Sequence, residues 1–328
     1  MRLPFRRSGI RLIALSLTLV PAALRAESAA TETVAEIQNR HDRALVRELG
    51  EYLIRNPKAE DRDQAYAALF NKAIEHDWFA ENQEAAERYL KDEPKGPVRS
   101  LAQVITVMGR AKTKQFPEAL ARYQELMKGL TMAEQEEFAS SFSETFAVAA
   151  VAAGEVETAA QVYQTLAARF PESATIKQKT EAELGRLARV GRPAPLVEAQ
   201  DVEGKPVRLA SLRGKYVLAD FWATWGTPNI VELPRLQEAY KKYHDAGLEI
   251  VSVSLDDTRS AVVDFVKARK LPWTQLHNTT AGADLVEAFG VSSIPATYLI
   301  DPQGTIIRLD LRGAALDEAL SKALKAGG

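Results

Sequence analysis

The spacing of apolar residues changes once along this 328-residue chain, and that change decides what it can fold into. From residue 27 to about 190, apolar residues recur at helical spacing in a background rich in Ala, Glu, Gln, Leu and Arg. From about residue 193 the pattern becomes short β-branched runs separated by Gly, Pro and Asp. The switch falls in VGRPAPL, where Gly191 and Pro193 end a helix and Pro195 opens an extended segment. The predicted order is an all-α region over 27–190 and an α/β domain over 191–328, which suits a chain of two-domain length.

The helical half carries a weak repeat. Ala85, Ala119 and Ala159 each precede a tyrosine by four residues, at Tyr89, Tyr123 and Tyr163. Residues four apart share one face of a helix, so each pair offers a small residue for close helix approach and an aromatic to fill the space beside it. Gly154 sits in the turn before the last copy and Pro171 follows it. This half resembles degenerate tetratricopeptide repeats, whose period is about 34 residues. The resemblance implies a concave protein-binding face.

In the second half, Tyr216–Trp222 is apolar except for Asp220, the signature of a strand buried on both faces. Thr227 is placed to cap the helix that follows, with Pro228 at its first position, and that helix is expected to run to about His244. LEIVSVSL reads as a second buried strand and SAVVDFVKARK as an amphipathic helix. ATYLI and TIIRLDL flank DPQG, whose Asp301, Pro302 and Gly304 fit a type I turn, and residues 315–326 read as a closing helix.

Composition narrows the chemistry. There is no cysteine, so disulfides, thiolate metal sites and cysteine nucleophiles are excluded. The net charge of -2 argues against a broad grip on nucleic acid. His41, His76, His244 and His277 show no metal-binding spacing, no phosphate-binding glycine loop is present, and no cofactor is expected. His277 reads as a loop surface residue and Asp256-Asp257 as a solvated strand end. At the N-terminus, Arg2, Arg6, Arg7 and Arg11 precede the apolar run Leu12–Leu24, with Ala26 as a cleavage point. Residues 1–26 therefore read as an export signal. The apolar run is shorter than the roughly 18 residues a membrane span needs, so the mature chain is expected to have no span and to be periplasmic.

Residues 191–328 resemble the thioredoxin-like redoxins of the bacterial envelope, the TlpA-type thiol–disulfide oxidoreductases. The resemblance rests on GRPAP, GKPVRLASLRGK, YVLADFW, WATW, Glu232-Leu233-Pro234, VSVSLDD and FGVSSIPATYLIDPQG. It implies a central mixed sheet flanked by helices, a cis peptide before Pro295, and a carboxylate at Asp220 placed to move a thiol proton. The departure is equally specific. Where such redoxins carry two cysteines around a dipeptide, this chain has Gly226, Thr227, Pro228 and Asn229.

A helix N-terminus favours a thiolate, which attacks a disulfide and is displaced by a second thiol. Gly226 offers no side chain, and neither the Asn229 amide nor the Thr227 hydroxyl can cycle through a disulfide. The motif is therefore a degenerate redox site with no catalytic residue. Asp220 is left as a carboxyl expected to hydrogen-bond Asn229, Thr227 or water, with a pKa raised by burial. Trp225, Thr227, Ile294 and Pro295 are expected to border a groove that holds a protein or extended peptide without covalent capture. The expected role is non-catalytic binding in the cell envelope. A thiol–disulfide oxidoreductase, which the family resemblance alone would suggest, and a structural subunit of an envelope complex are the alternatives.

Overall fold

The structure, a computed structural model, describes residues 32–130, 135–279 and 284–325. The segment read as an export signal lies outside them. Among the described residues no helix is long and apolar enough to cross a membrane.

Among the described residues, eight α-helices come first: α1 (Val34–Arg55), α2 (Arg62–Glu75), α3 (Phe79–Asp92), α4 (Arg99–Lys112), α5 (Phe116–Gly129), α6 (Glu136–Ala153), α7 (Val156–Arg169) and α8 (Ala174–Leu187). Their ends follow local chemistry. Thr33 and Glu36 form a reciprocal capping box at the start of α1, and Gly154 closes α6 at φ +90. Tyr89, Tyr123 and Tyr163 are all buried, as their spacing suggests. The register of the repeat does not hold for the first copy. Ala119 and Tyr123 occupy the fourth and eighth positions of α5, as Ala159 and Tyr163 do in α7, whereas α3 has Asn82 and Ala86 at those positions. The fully buried small residue of α3 is Ala86, with Ala85 only half-buried.

The second half opens with a hairpin of β1 (Glu198–Gln200) and β2 (Pro206–Arg208). The main sheet contains β3 (Tyr216–Trp222), β4 (Leu248–Ser254), β5 (Thr274–His277), β6 (Ala296–Ile300) and β7 (Ile306–Leu309), in the order β5-β4-β3-β6-β7. The first three strands are mutually parallel and the last two antiparallel. Four helices complete the domain: α9 (Thr227–Tyr243), α10 (Arg259–Arg269), α11 (Leu285–Phe289) and α12 (Gly313–Lys325). This is the mixed, helix-flanked sheet that the resemblance implies. The turn at Asp301–Gly304 closes with Gly304 N–H donating to the Asp301 carbonyl at 2.8 Å.

Alternation along β3 sends its two sides to different cores. Val217, Ala219 and Phe221 belong to a cluster that is continuous with the buried residues of the eight helices. Leu218 faces the other way, into a cluster formed by α9, β4 and α12 with Leu236, Ile250 and Leu316. Asp220 shares that second face by parity.

The halves are also locked by polar contacts. Arg186 of α8, 9% exposed, donates to Glu183 at 2.7 Å and to Asp310 after β7 at 2.6 Å. Arg308 of β7 donates to the Ala152 carbonyl at the end of α6 at 2.6 Å. Arg189 donates to the Ala288 carbonyl at 2.8 Å.

Candidate functional site

The β3 strand pairs with β6 up to Phe221 and Ala296, so the loop after Trp222 and the peptide before Ala296 leave the sheet at the same end. The Ile294–Pro295 bond is cis, as the resemblance implies. The loop Ala223–Gly226 leads into α9, whose cap is Gly226 rather than Thr227. Thr227 is the first helical residue, and Gly226 supplies no side chain, so no side-chain oxygen caps the first turn.

Asn229 does not point outward. It is 4% exposed, and its Nδ2 donates to the Phe221 carbonyl over a long 3.4 Å. Its Oδ1 is buried with no hydrogen-bond partner among the described residues. That oxygen lies 2.3 Å from where a Cβ on Gly226 would stand. The side chain at the second cysteine position of the redoxin motif has thus folded back into the volume of the first. The two replacements are sterically coupled, because Asn229 fits this rotamer only when residue 226 has no Cβ.

Asp220 lies beneath, 4% exposed. The expected hydrogen bond to Asn229 or Thr227 is not the one formed. The parallel register sets Ser252 of β4 beside Asp220, and Ser252 Oγ donates to Asp220 Oδ2 at 2.9 Å. Ser252 Oγ in turn accepts from Trp273 Nε1 at 2.9 Å. Burial pushes the Asp220 carboxyl up to about 6, against smaller lowering effects from Ser252 and the Arg312 charge. Asp220, Asn229 and Pro295 line one narrow crevice together with Glu232, Thr297 and Arg312. Arg312 donates to the Pro295 carbonyl, and Glu232 accepts from Gly313 N–H at 3.0 Å, which ties α9 to the start of α12.

Trp225, Thr227 and Ile294 are not part of that crevice. Trp225 is 65% exposed, and Val231, one turn into α9, is 70% exposed. Ile294 is half-buried, and among the described residues neither its N–H nor its C=O has a hydrogen-bond partner. The site is thus an apolar rim over a buried carboxyl, with no thiol beside it.

Two sequence expectations nearby are corrected. Asp256 is not a solvated strand end. It is 4% exposed and accepts from Thr224 N–H at 3.0 Å, Thr224 Oγ1 at 2.5 Å and Ser254 Oγ at 2.7 Å, so it pins the loop that carries Trp225. His277 is not on the surface but in β5, 1% exposed, with Nε2 2.7 Å from the Asp256 carbonyl. The signal for both was alternation: Ser252 and Ser254 fall on one side of a buried strand, where each needs a polar partner.

Histidine spacing also missed a cluster that the fold assembles. Asp42, Glu75 and His76 bring their ligand atoms within 4.8 Å of one another. The Lys72 ammonium already lies 3.1 Å from Asp42 and 2.8 Å from Glu75, so the chain itself offsets part of the cluster's negative charge.

Residues 190–309 match the AhpC/TSA family. The thiol-disulfide oxidoreductase ResA of Bacillus thuringiensis subsp. konkukian is 35% identical over 136 residues, which are 42% of this chain and 77% of that protein. The protein of the same name from Oceanobacillus iheyensis is 33% identical, over 40% of this chain and 70% of its own length. Among solved structures, the thioredoxin domain of a thiol-disulfide oxidoreductase from Bacteroides vulgatus aligns at 30% identity over 40% of this chain and 96% of its own, with a TM-score of 0.38. Through its second half, therefore, this chain belongs to the AhpC/TSA family of redoxins, as a member that has no cysteine.

Proposed function

We propose that this is an exported, redox-inactive redoxin whose second half binds an extended peptide segment without covalent capture. The observation that carries the reading is the position of Asn229. The reactive centre is not merely short of sulfur; its first side-chain position is filled by an amide oxygen. Thiol–disulfide exchange needs a thiolate to attack and a thiol to resolve, and neither exists in this chain. What stays available is surface. Exposed Trp225 and Val231 offer apolar contact, and the unpartnered Ile294 backbone offers the donor and acceptor that an extended chain uses in strand-like pairing. Trp is the side chain most able to anchor such an interface. Export is supported by the arginine-led apolar segment at the N-terminus, which makes the periplasm the expected compartment.

The test uses the oxidised insulin B chain, an extended peptide with no free thiol, titrated into the full-length protein by calorimetry. Saturable binding that is insensitive to dithiothreitol and weakened at least about tenfold by Trp225→Ala is expected, since interface tryptophans commonly carry that much. Equal binding by the variant, or no binding at all, would remove this site from the account.

A further inference from the structure

A groove lies far from the redoxin motif in sequence, between α1 and α3. α1 is a 22-residue helix with Leu53 as its fully buried residue. Its Arg43–Ile54 stretch faces α3 across a groove of about 320 Å³. Leu69 and Trp78 lie at its base but are buried, with the Arg43 guanidinium over the Trp78 ring at 4.4 Å and His76 stacked on that ring, so the open apolar surface is that of Val46 and Ile54. Ligand-sized grooves begin at about this volume. Ile54, on the groove wall, is 64% exposed although apolar.

Gly50 makes the groove deep. A glycine inside a helix costs about 1 kcal/mol relative to alanine, so its usual justification is close packing of a neighbour. No such packing exists here. A Cβ at Gly50 would meet only Leu69 Cδ1, at 4.0 Å. The missing side chain leaves open space beside that apolar surface.

The groove's charges point to one kind of occupant. Glu81 is taken by Arg43 at 3.7 Å and Glu84 by Arg88 at 3.3 Å. Arg47, on the same wall, has no ion-pair partner among the described residues and is exposed. Arg43 and Arg47 also line a contiguous hollow along the preceding turns of α1. The groove therefore has an apolar surface and one uncompensated guanidinium at its rim.

We infer that the α1–α3 groove binds an acidic protein segment, seating an apolar side chain against Val46, Gly50 and Ile54 and a carboxylate on Arg47. A guanidinium is suited to this because it accepts a carboxylate in a two-pronged contact. The site is independent of the reading of the α9 end.

The test is fluorescence anisotropy of a labelled synthetic peptide of glutamates carrying two leucines, with full-length protein. Binding is expected to weaken with added salt, to fall at least about tenfold when the leucines are replaced by alanine, and to vanish when lysines replace the glutamates. Gly50→Leu fills the hollow while improving helix propensity, so it should abolish binding with unchanged or raised thermal stability. Arg47→Glu, at an exposed and unpaired position, should abolish it without affecting the fold. Trp225→Ala should leave it unchanged. Equal affinity for the lysine peptide, or undiminished binding by both α1 variants, would overturn the inference. So would a concentration-dependent dimer in sedimentation that Gly50→Leu abolishes, because the groove would then be filled by a second copy.

Discussion

Replacing Gly226 by alanine tests the steric coupling at the degenerate motif. The new Cβ would stand 2.3 Å from Asn229 Oδ1 and 3.3 Å from the Ala223 carbonyl oxygen. The first contact is impossible, so Asn229 must turn away. That breaks its bond to the Phe221 carbonyl, worth about 1 kcal/mol at most given its 3.4 Å length. It also forces a buried side chain, 4% exposed, out of its rotamer and into packed surroundings, a further cost of about 1–2 kcal/mol. Loss of glycine at the helix cap adds a few tenths. Gly226→Ala should therefore destabilise by about 2–3 kcal/mol. Asn229→Ala alone should be near neutral, because it discards an unpartnered Oδ1 along with one weak bond. In the double variant the obstruction is gone, so the cost should drop to about 1 kcal/mol or less. Urea denaturation of the four proteins gives the interaction energy, which should favour the double variant by about 1.5–2 kcal/mol. Additivity within about 0.5 kcal/mol is what independent sites show, and finding it here would refute the coupling.

Other expectations follow from the same contacts. Asp220 has a folded pKa of about 6 against an ordinary 3.8, so the folded state holds a proton that the unfolded state has released between those values. Stability should fall as pH rises from about 4 to about 6, by up to about 3 kcal/mol, and stay low above that range. Asp220→Asn should flatten this slope and stabilise the protein at pH 7.5, as seen in denaturation midpoints across pH. Arg186→Ala should cost about 3–5 kcal/mol by leaving Glu183 and Asp310 facing each other at the junction of the two halves, measured by urea denaturation. Gly154→Ala should cost about 1–2 kcal/mol, because the residue sits at φ +90 with the Arg308 guanidinium 3.2 Å from the added Cβ. Gly226→Cys combined with Asn229→Cys should form a disulfide on oxidation and, once returned to the dithiol by dithiothreitol, reduce insulin, since Asn229→Cys removes the amide oxygen that a side chain at 226 would meet.

The sequence carries most of this fold where a pattern is long or rigid. The buried run Tyr216–Trp222 and the helix around Thr227-Pro228 were legible because continuous apolarity and a proline near a helix start admit few alternatives. The short elements were not. β1, β5 and α11 span only three to five residues, too few for periodicity to register. Within the site, the residue types at 226–229 and the missing sulfur were plain, but their mutual arrangement was not. Asn229 folding back over Gly226 depends on a rotamer, and the Asp220–Ser252 bond depends on the register between two strands 32 residues apart. Asp256 and His277 were misplaced for the same reason: a charged or imidazole side chain signals exposure until the fold supplies its partners.

The central claim is that this redoxin scaffold has lost disulfide exchange. Turnover of insulin disulfides with dithiothreitol as reductant, using protein purified free of host thioredoxin, measures it directly. The account predicts a rate indistinguishable from dithiothreitol alone at every protein concentration. A rate that rises in proportion to the protein would contradict it.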